Sequence, residues 1–470
     1  MRLIAAMSLL QACPESPVED TGPVVVSLEE AEVTIAAPWS AEAGPARTVL
    51  LPGDDWGDIV AFDYQFPYDV MRVGSEVTSV AILASPFTGA APFSQALPGS
   101  YLVDVRSGDD SAVYAWDEYV DADAGRERVL HFGNVESSGL VEVETVTYVD
   151  EDWDVADEQE LYPHDAGLLD ADGDGLIDLV MIDFDGAAST IGVFEGPLPY
   201  AETATVEIKG SLADERITLD QSDVWSLGDR SGDGYPEIAV KGCVISLGVT
   251  TPGEVTLCVS DSDDDSTSLS SFRLDSLGGT NEEPPPRSDL LFVDTGHCEH
   301  IRPFDPYSSY GPDDCGAIFG LGPDVTGTVD AETEYDWGIR SSRLNARLGA
   351  GLAWAGDQDG DGAQDLLVGR PGFPRSGCGT EGPPPRDPCA GIDQAGSVRG
   401  AAYLFLGPLS GEYRAPRDAD VEFVAPGNGE MSGQWVGVTA RPDGGAPDIW
   451  VWSAIDLLFY GFEGGGEWLP

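Results

Sequence analysis

Short apolar runs alternate with polar turns along most of this 470-residue chain. Typical runs are 179–182 (LVMI), 238–240 (IAV) and 366–369 (LLVG), and Gly, Asp, Asn and Pro separate them from their neighbours. Apolar residues almost nowhere recur at the 3.6-residue spacing of an amphipathic helix. This pattern predicts an all-β protein that is built from many short strands.

Three of the polar turns share the pattern D-x-[DS]-x-D-G-x-x-[DE], and an apolar run follows each of them. Calcium binds six to eight oxygens at about 2.3–2.6 Å, so oxygens at positions 1, 3 and 5 suit it when the backbone curls around the ion. Gly at position 6 permits the sharp bend, and a carbonyl at position 7 and an acid at position 9 complete the shell. The predicted ligands are Asp170, Asp172, Asp174, Leu176 and Asp178 in the first turn, Asp229, Ser231, Asp233, Tyr235 and Glu237 in the second, and Asp357, Asp359, Asp361, Ala363 and Asp365 in the third.

These turns differ from the calcium loop of an EF-hand. That loop needs a bidentate Glu at position 12 and a helix after it. Position 12 is occupied here by Met181, Val240 and Val368, each within an apolar run that is typical of a strand. The sequence therefore predicts about three structural Ca²⁺ ions in β-hairpins.

Residues 347–371 closely resemble an FG-GAP repeat, the repeat of the integrin α-subunit head. Leu348-Gly349 stands where the family has Phe-Gly, and Gly369-Arg370-Pro371 stands where it has Gly-Ala-Pro. Residues 400–411 and 316–327 are similar to the outer strands of such repeats. The resemblance implies a β-propeller of seven four-stranded blades that carry calcium in their hairpins.

The blade count comes from the three turns together with weaker copies of them. Damaged copies occur at 51–61, where Asp54 and Asp58 keep ligand positions, and at 439–449, where only Asp448 remains. Fainter candidates lie near 101–115 and 275–293. The total is seven blades, with six or eight as alternatives, and we expect an N-terminal strand within about 24–50 to complete the last blade.

The chain is strongly acidic. Its 84 Asp and Glu residues outnumber its 23 Lys and Arg residues, which gives a formal net charge of -61. Such a surface repels nucleic acid and anionic membranes, so nucleic acid is excluded as a partner. The acidic excess has three interpretations, namely solvation, adaptation to high salt and calcium binding, and only the spacing of the acids favours the third for the turns above.

The first residues predict secretion. Residues 1–12 carry a charged start and a short apolar run, as in a signal peptide, and the run from Leu10 to Cys13 resembles a bacterial lipobox. We therefore expect residues 13–23 to form a lipidated cysteine and a polar tether, with the propeller over 24–470. The predicted location is the bacterial outer membrane, at the cell surface or facing the periplasm, with the lipid as the sole membrane contact.

The remaining six cysteines form an even set, which indicates disulfides in a secreted chain. Local pairing is the simplest of the possible connectivities. It gives Cys243–Cys258, Cys298–Cys315 and Cys378–Cys389. A transition-metal site at His297 and His300 is an alternative use of the segment around Cys298.

No catalytic motif is found for a serine hydrolase, a zinc protease or a phosphate-binding enzyme. The predicted function is a non-enzymatic ligand-binding or adhesion module for an unknown extracellular protein or glycan. One alternative is a propeller-type hydrolase or carbohydrate-active enzyme, and another is a structural envelope protein without a specific ligand.

Overall fold

The computed structural model describes the following residues: 23–36, 43–51, 57–65, 76–83, 93–107, 112–122, 125–149, 166–172, 174–185, 188–200, 206–209, 224–227, 229, 235–240, 243–247, 255–260, 272–275, 290–294, 316–322, 324–330, 333–341, 347–371, 400–424, 432–441, 443–453, 458–465 and 469. They form strands almost throughout, as the apolar pattern predicted. Within these residues, no helix has the length and apolar character that a membrane-spanning segment requires.

The strands in chain order are β1 (Val24–Ser27), β2 (Val33–Ala36), β3 (Ala43–Leu50), β4 (Gly57–Gln65), β5 (Glu76–Leu83), β6 (Phe93–Ser107), β7 (Ala112–Ala122), β8 (Gly125–Glu136), β9 (Gly139–Val149), β10 (Ala166–Leu169), β11 (Asp178–Asp185), β12 (Ala188–Phe194), β13 (Val206–Lys209), β14 (Val224–Ser226), β15 (Glu237–Val240), β16 (Cys243–Ser246), β17 (Val255–Ser260), β18 (Phe272–Asp275), β19 (Leu290–Asp294), β20 (Ala317–Leu321), β21 (Gly327–Asp330), β22 (Trp337–Ser341), β23 (Leu352–Gly356), β24 (Asp365–Arg370), β25 (Ala401–Phe405), β26 (Gly411–Ala415), β27 (Val421–Val424), β28 (Ser432–Thr439), β29 (Asp448–Ser453) and β30 (Leu458–Phe462). A short 3-10 helix spans Leu28–Glu30.

These strands build a seven-bladed β-propeller, which confirms the predicted fold. Blade 1 is β3-β4-β5-β6, and blade 2 is β6-β7-β8-β9, because the long strand β6 pairs with β5 through its first half and with β7 through its second. Blade 3 is β10-β11-β12-β13 and blade 4 is β14-β15-β16-β17. Blade 5 is β18-β19-β20-β22, blade 6 is β23-β24-β25-β27, and blade 7 is β28-β29-β30-β2.

The N-terminal segment closes the ring. Strand β2 pairs antiparallel with β30 as the fourth strand of blade 7, so the expected N-terminal completing strand is confirmed at Val33–Ala36. Blades 7 and 1 then meet through hydrogen bonds. The Thr48 hydroxyl donates to the Val438 carbonyl at 2.8 Å, and the Gly57 amide donates to the Ala440 carbonyl at 3.3 Å.

Among the strands that the structure describes, three blades carry a fifth strand that comes from the next blade. Between its third and fourth strands, blade 5 sends β21 back to pair in parallel with β17 of blade 4. Blade 6 sends β26 back to β22 of blade 5 in the same way. Strand β1 precedes β2, the fourth strand of blade 7, and pairs in parallel with β27 of blade 6. Blade 7 thus supplies the fifth strand of blade 6 in the same way. Each of these strands covers an edge that an outer strand would otherwise leave open.

The core lies between consecutive blades. In β25, Ala402 and Leu404 pack toward blade 7, whereas Ala401, Tyr403 and Phe405 pack toward blade 5. Successive side chains of a strand point to opposite faces, so a strand between two blades is apolar on both faces. This placement explains why the sequence shows continuous apolar runs instead of strict alternation.

One predicted disulfide falls within the described residues and is confirmed. Cys243 on β16 and Cys258 on β17 face each other across the hairpin and are bonded. The pairs Cys298–Cys315 and Cys378–Cys389, together with His297, His300 and Cys13, lie outside the described residues.

Candidate metal-binding loops

The predicted turns connect the first and second strands of their blades, as expected of hairpin loops. Met181, Val240 and Val368 lie in the second strands, which is the environment that argued against an EF-hand. The strand register shows that the loops of four blades have the same length. In each of them, the residue just before position 1 pairs with the acid at position 9. The register pairs are Val49–Asp58 in blade 1, Leu169–Asp178 in blade 3, Gly356–Asp365 in blade 6 and Thr439–Asp448 in blade 7.

In blade 6, the acid at position 9 ties two chain segments together. Asp365 is fully buried. One of its oxygens accepts the amide of Gln358 at 2.7 Å, at the start of the loop, and the other accepts the amide of Gly407 at 2.7 Å, just after the third strand. We call this arrangement the clip.

The same clip occurs in blade 3, and part of it occurs in blade 7. Asp178 accepts the amides of Ala171 at 2.7 Å and Gly196 at 2.6 Å. Asp448 accepts the amide of Gly464 at 3.0 Å. The acid at position 9 therefore has a structural role of its own, which the sequence interpretation as a plain metal ligand did not include.

The glycine of the clip is required by a close approach of two backbones. A Cβ atom on Gly196, Gly407 or Gly464 would lie 2.1–2.5 Å from the carbonyl oxygen of the residue that precedes the acid. Sequence analysis did not find these glycines. The signal was present as a recurrent Phe-x-Gly after the third strand, at 194–196, 405–407 and 462–464.

Burial shifts the acidity of the clip carboxyls. Desolvation raises the pKa of Asp178 to about 7, although hydrogen bonds from Gly196 and Ala171 oppose the shift. Desolvation likewise raises the pKa of Asp365 to about 6, against hydrogen bonds from Gly407 and Gln358. In both cases the neighbouring acids at positions 1 and 3 raise the pKa further, because a like charge nearby disfavours the ionised form.

The blade 3 loop curls around the side chain of its first acid. Asp170 accepts the amides of Asp174 at 3.1 Å and Gly175 at 2.8 Å, and Asp174 accepts the amide of Leu176 at 2.8 Å. Gly175, at position 6, has φ +85°, so the sharp bend predicted there is present. Carboxylate oxygens of Asp170, Asp172 and Asp178 lie within 4.8 Å of one another.

The blade 6 loop shares two of these internal hydrogen bonds. Asp357 accepts the amide of Gly362 at 2.8 Å, and Asp361 accepts the amide of Ala363 at 2.7 Å. Gly362 at position 6 has φ +89°. Here the acids whose oxygens lie within 4.8 Å of one another are Asp357, Asp359 and Asp361. Position 5 thus joins the cluster in blade 6, whereas position 9 joins it in blade 3.

The donor set of both clusters fits calcium. Two ligands on opposite sides of the ion would stand about 4.6–5.2 Å apart, given bond lengths of about 2.3–2.6 Å. Every ligand is a carboxylate oxygen, the type that hard cations prefer. Each of these oxygens has two lone pairs, so a hydrogen bond from a backbone amide leaves one for an ion.

The blade 4 loop is described only in part. Asp229 is half-buried, and Glu237 at position 9 is buried at the start of β15. Tyr235 lies between them in the loop, and Ser231 and Asp233 fall outside the described residues. A calcium site here stays a prediction.

The blade 7 loop keeps the acid at position 9 but holds an arginine at position 2. The Arg441 guanidinium lies 3.4 Å from Asp448 Oδ1, 3.1 Å from Glu463 Oε1 and 3.4 Å from Asp443 Oδ1. Its side chain is 19% exposed. Sequence analysis missed this residue, because Glu463 is contributed by a segment that follows the third strand.

Position 2 of the blade 6 loop connects the two loops. The Gln358 side chain is buried; its amide nitrogen donates to Ala355 O at 2.6 Å and to Pro447 O at 2.9 Å. Its amide oxygen accepts the Gly465 amide at 3.1 Å. Pro447 and Gly465 belong to blade 7, so the blade 6 loop is fastened to the blade that completes the ring.

No protein-family model matches this chain, and no curated protein matches it either. Among solved structures, it is similar to the β-propeller domain of the Trilobed protease from Pyrococcus furiosus, which is described as having an open Velcro topology. The likeness covers 88% of this chain and 94% of that one, with 8% identity and a TM-score of 0.32. At that identity and score the likeness carries no information about function.

Proposed function

We propose that this protein is a calcium-stabilised β-propeller that serves as a non-enzymatic ligand-binding or adhesion module. The observation that supports calcium is the convergence of three carboxylates in each of two hairpins, at blades 3 and 6, both of which bend at a glycine of positive φ at position 6. The adhesion role is supported by the resemblance of residues 347–371 to an FG-GAP repeat of integrin heads.

Calcium in this proposal holds the loops in shape and does not take part in a reaction. Affinities of extracellular calcium modules are about 10⁻⁴–10⁻³ M. At about 10 mM calcium, mass action then stabilises the fold by about 1.4–2.7 kcal/mol for each occupied loop. The ion also offsets the mutual repulsion of the carboxylates that it joins.

The test compares Asp361→Asn with the wild type in calcium-free buffer and in 10 mM calcium (about 10–100 times the expected Kd). We expect calcium to raise the melting temperature of the wild type and to raise that of the variant less. Asparagine keeps an oxygen that can accept the Ala363 amide, so the loop itself is preserved. The measurement is differential scanning calorimetry, with calcium binding followed by isothermal titration.

Asp324→Asn is the matched control, because it removes one negative charge from an exposed turn outside the loops. It should leave the calcium-dependent shift unchanged. A wild-type melting temperature that does not respond to calcium would overturn the calcium proposal, and an unaltered shift in Asp361→Asn would remove the blade 6 loop from it.

The proposal places the propeller on a bacterial membrane through a lipid on Cys13. Incorporation of a labelled fatty acid into the full chain, and its loss in Cys13→Ser, would support the anchor. The ligand can be sought on glycan and matrix-protein arrays with and without calcium. Binding that requires calcium supports the adhesion module, whereas hydrolysis of an arrayed glycan would support the enzymatic alternative.

A further inference from the structure

The blade 7 hairpin has the length of the blade 6 hairpin but lacks its cluster of acids. Asp448 stands at position 9 in the same register as Asp365. Positions 1, 3 and 5 are Ala440, Pro442 and Gly444, which offer no carboxylate. This loop therefore lacks the ligand set of a calcium site but keeps the half-buried acid at position 9.

A cation is nevertheless present among the acids of blade 7. The Arg441 guanidinium reaches three carboxylates, those of Asp443, Asp448 and Glu463, at 3.1–3.4 Å. A planar guanidinium presents five N–H donors in a fixed fork and keeps its charge at any physiological pH, so a single arginine can serve several carboxylates at once.

The N-terminal segment adds a fourth acid to this group. Glu32 directly precedes β2, and its amide donates to Gly461 O in the third strand of blade 7 at 3.0 Å. Burial raises the pKa of the Glu32 carboxyl, the charges of Glu463 and Asp448 raise it further, and Arg441 lowers it. Glu32 therefore lies within electrostatic reach of Arg441, next to the pairing of β2 with β30.

We propose that Arg441 is the built-in cation of blade 7, so that the blade which closes the ring is held together by a guanidinium and not by calcium. The proposal rests on the proposed calcium function only where it compares blade 7 with blades 3 and 6. The contacts of Arg441 with its three carboxylates do not depend on calcium. A metal ion next to the guanidinium would be repelled by it, so the two kinds of cation exclude each other at this loop.

The first test is Arg441→Gln, measured in calcium-free buffer and again with calcium. We expect the melting temperature to fall by about 1–2 °C in both buffers, and hydrogen exchange to increase in β2 and β30. Arg417→Gln is the matched control, because Arg417 is 61% exposed and pairs with the adjacent Asp418 at 2.6 Å. A fall no larger than that of Arg417→Gln would overturn the proposal.

The second test exchanges the cation by giving blade 7 the blade 6 loop. The variant carries Ala440→Asp, Arg441→Gln, Pro442→Asp, Asp443→Gly and Gly444→Asp. We expect it to melt below the wild type without calcium, to recover with calcium, and to bind one more ion in titration calorimetry. A variant that folds but gains neither calcium binding nor calcium-dependent recovery would contradict the equivalence of the two cations.

The outcomes separate this inference from the proposed function. If calcium leaves the wild type unaffected but Arg441→Gln still lowers its melting temperature, the calcium proposal fails and the proposed role of Arg441 stands. If the wild type responds to calcium and Arg441→Gln matches its control, the proposed role of Arg441 fails and the calcium proposal stands. Should the five-residue variant not fold, the comparison of Arg441→Gln with Arg417→Gln decides the matter alone.

Discussion

The hairpins of blades 6 and 7 are neighbours with the same length. They differ in whether a basic side chain lies among their carboxylates. In blade 6, three carboxylates converge without a basic side chain among the contacts described around them. In blade 7, Arg441 stands among three carboxylates. Both hairpins retain the acid at position 9, with pKa values raised first by desolvation. The acid at position 9 and its hydrogen bond from the glycine after the third strand are therefore common to both hairpins, whereas the source of positive charge differs.

The largest expected effect separates the clip from metal binding. Asp365→Ala removes the acceptor of two backbone amides, those of Gln358 and Gly407. Each buried amide left unpaired costs about 1–3 kcal/mol, so we expect a loss of about 2–4 kcal/mol, read as a lower urea midpoint in calcium-free buffer. Asp448→Ala in blade 7 should cost less, because its carboxylate is only half-buried and the Gly464 amide is the one described partner on the backbone.

The structural role of the position 9 acid would be contradicted if Asp365→Ala destabilised the protein only in the presence of calcium. That result would make Asp365 a metal ligand without a role in the clip. A loss of equal size in calcium-free and calcium-containing buffer would confirm the structural role.

An intermediate effect is expected at the contact between the two hairpins. Gln358→Ala removes three hydrogen bonds, of which two connect blade 6 to Pro447 and Gly465 of blade 7. The same position in blade 3 is Ala171, which is buried, so alanine suits the loop itself. We expect a loss of about 1–3 kcal/mol and faster hydrogen exchange at the Gly465 amide. The control is Gln364→Ala, an exposed residue of the same loop; a matching loss there would contradict the prediction.

The last prediction concerns how the stability of the fold depends on pH. An unfolded Asp titrates near pH 3.9, whereas the pKa values of Asp178 and Asp365 rise to about 7 and about 6 in the fold. Between these limits the folded protein binds more protons than the unfolded chain, so its stability falls as pH rises from about 4 to about 7. Melting temperatures in calcium-free buffer across this window measure the fall, and saturating calcium should reduce it.

Asp365→Asn provides the control for general repulsion among the many acids of the chain. It lacks one of the two titrating groups, so its fall should be shallower than that of the wild type. Stability that increases over the same window without calcium would show that the burial of these carboxyls is not what governs the titration.

Much of the fold was predictable because its signals are local. The position 9 acids and the apolar runs after them identify hairpins, and blades follow when several hairpins recur at blade-like spacing. The faint candidates near 101–115 and 275–293 coincide with the hairpins β6–β7 and β18–β19. The completing N-terminal strand followed from the need to cover an open edge in the last blade.

The features that sequence missed depend on partners far apart in the chain. The return strands β21, β26 and β1 pair in parallel with other blades, and nothing in their short sequences names those partners. Nothing in the sequence around Arg441 indicates that Glu463 and Glu32, which come from other segments, lie near it. The acid at position 9 was interpreted as a ligand, because a sequence motif shows a carboxylate but not the amides that it accepts.

The pairing of β2 with β30 has a consequence for the order in which the protein can assemble. Val33 on β2 is made long before its partner Gly461 on β30. Such long-range contacts cannot form until the whole chain is available, and they are slow to form because a long loop must close first. During synthesis the N-terminal strands must wait without their partners, and blade 7 is completed last of all. A chain interrupted anywhere before β30 would hold earlier blades but would leave β2 without the strand it pairs with.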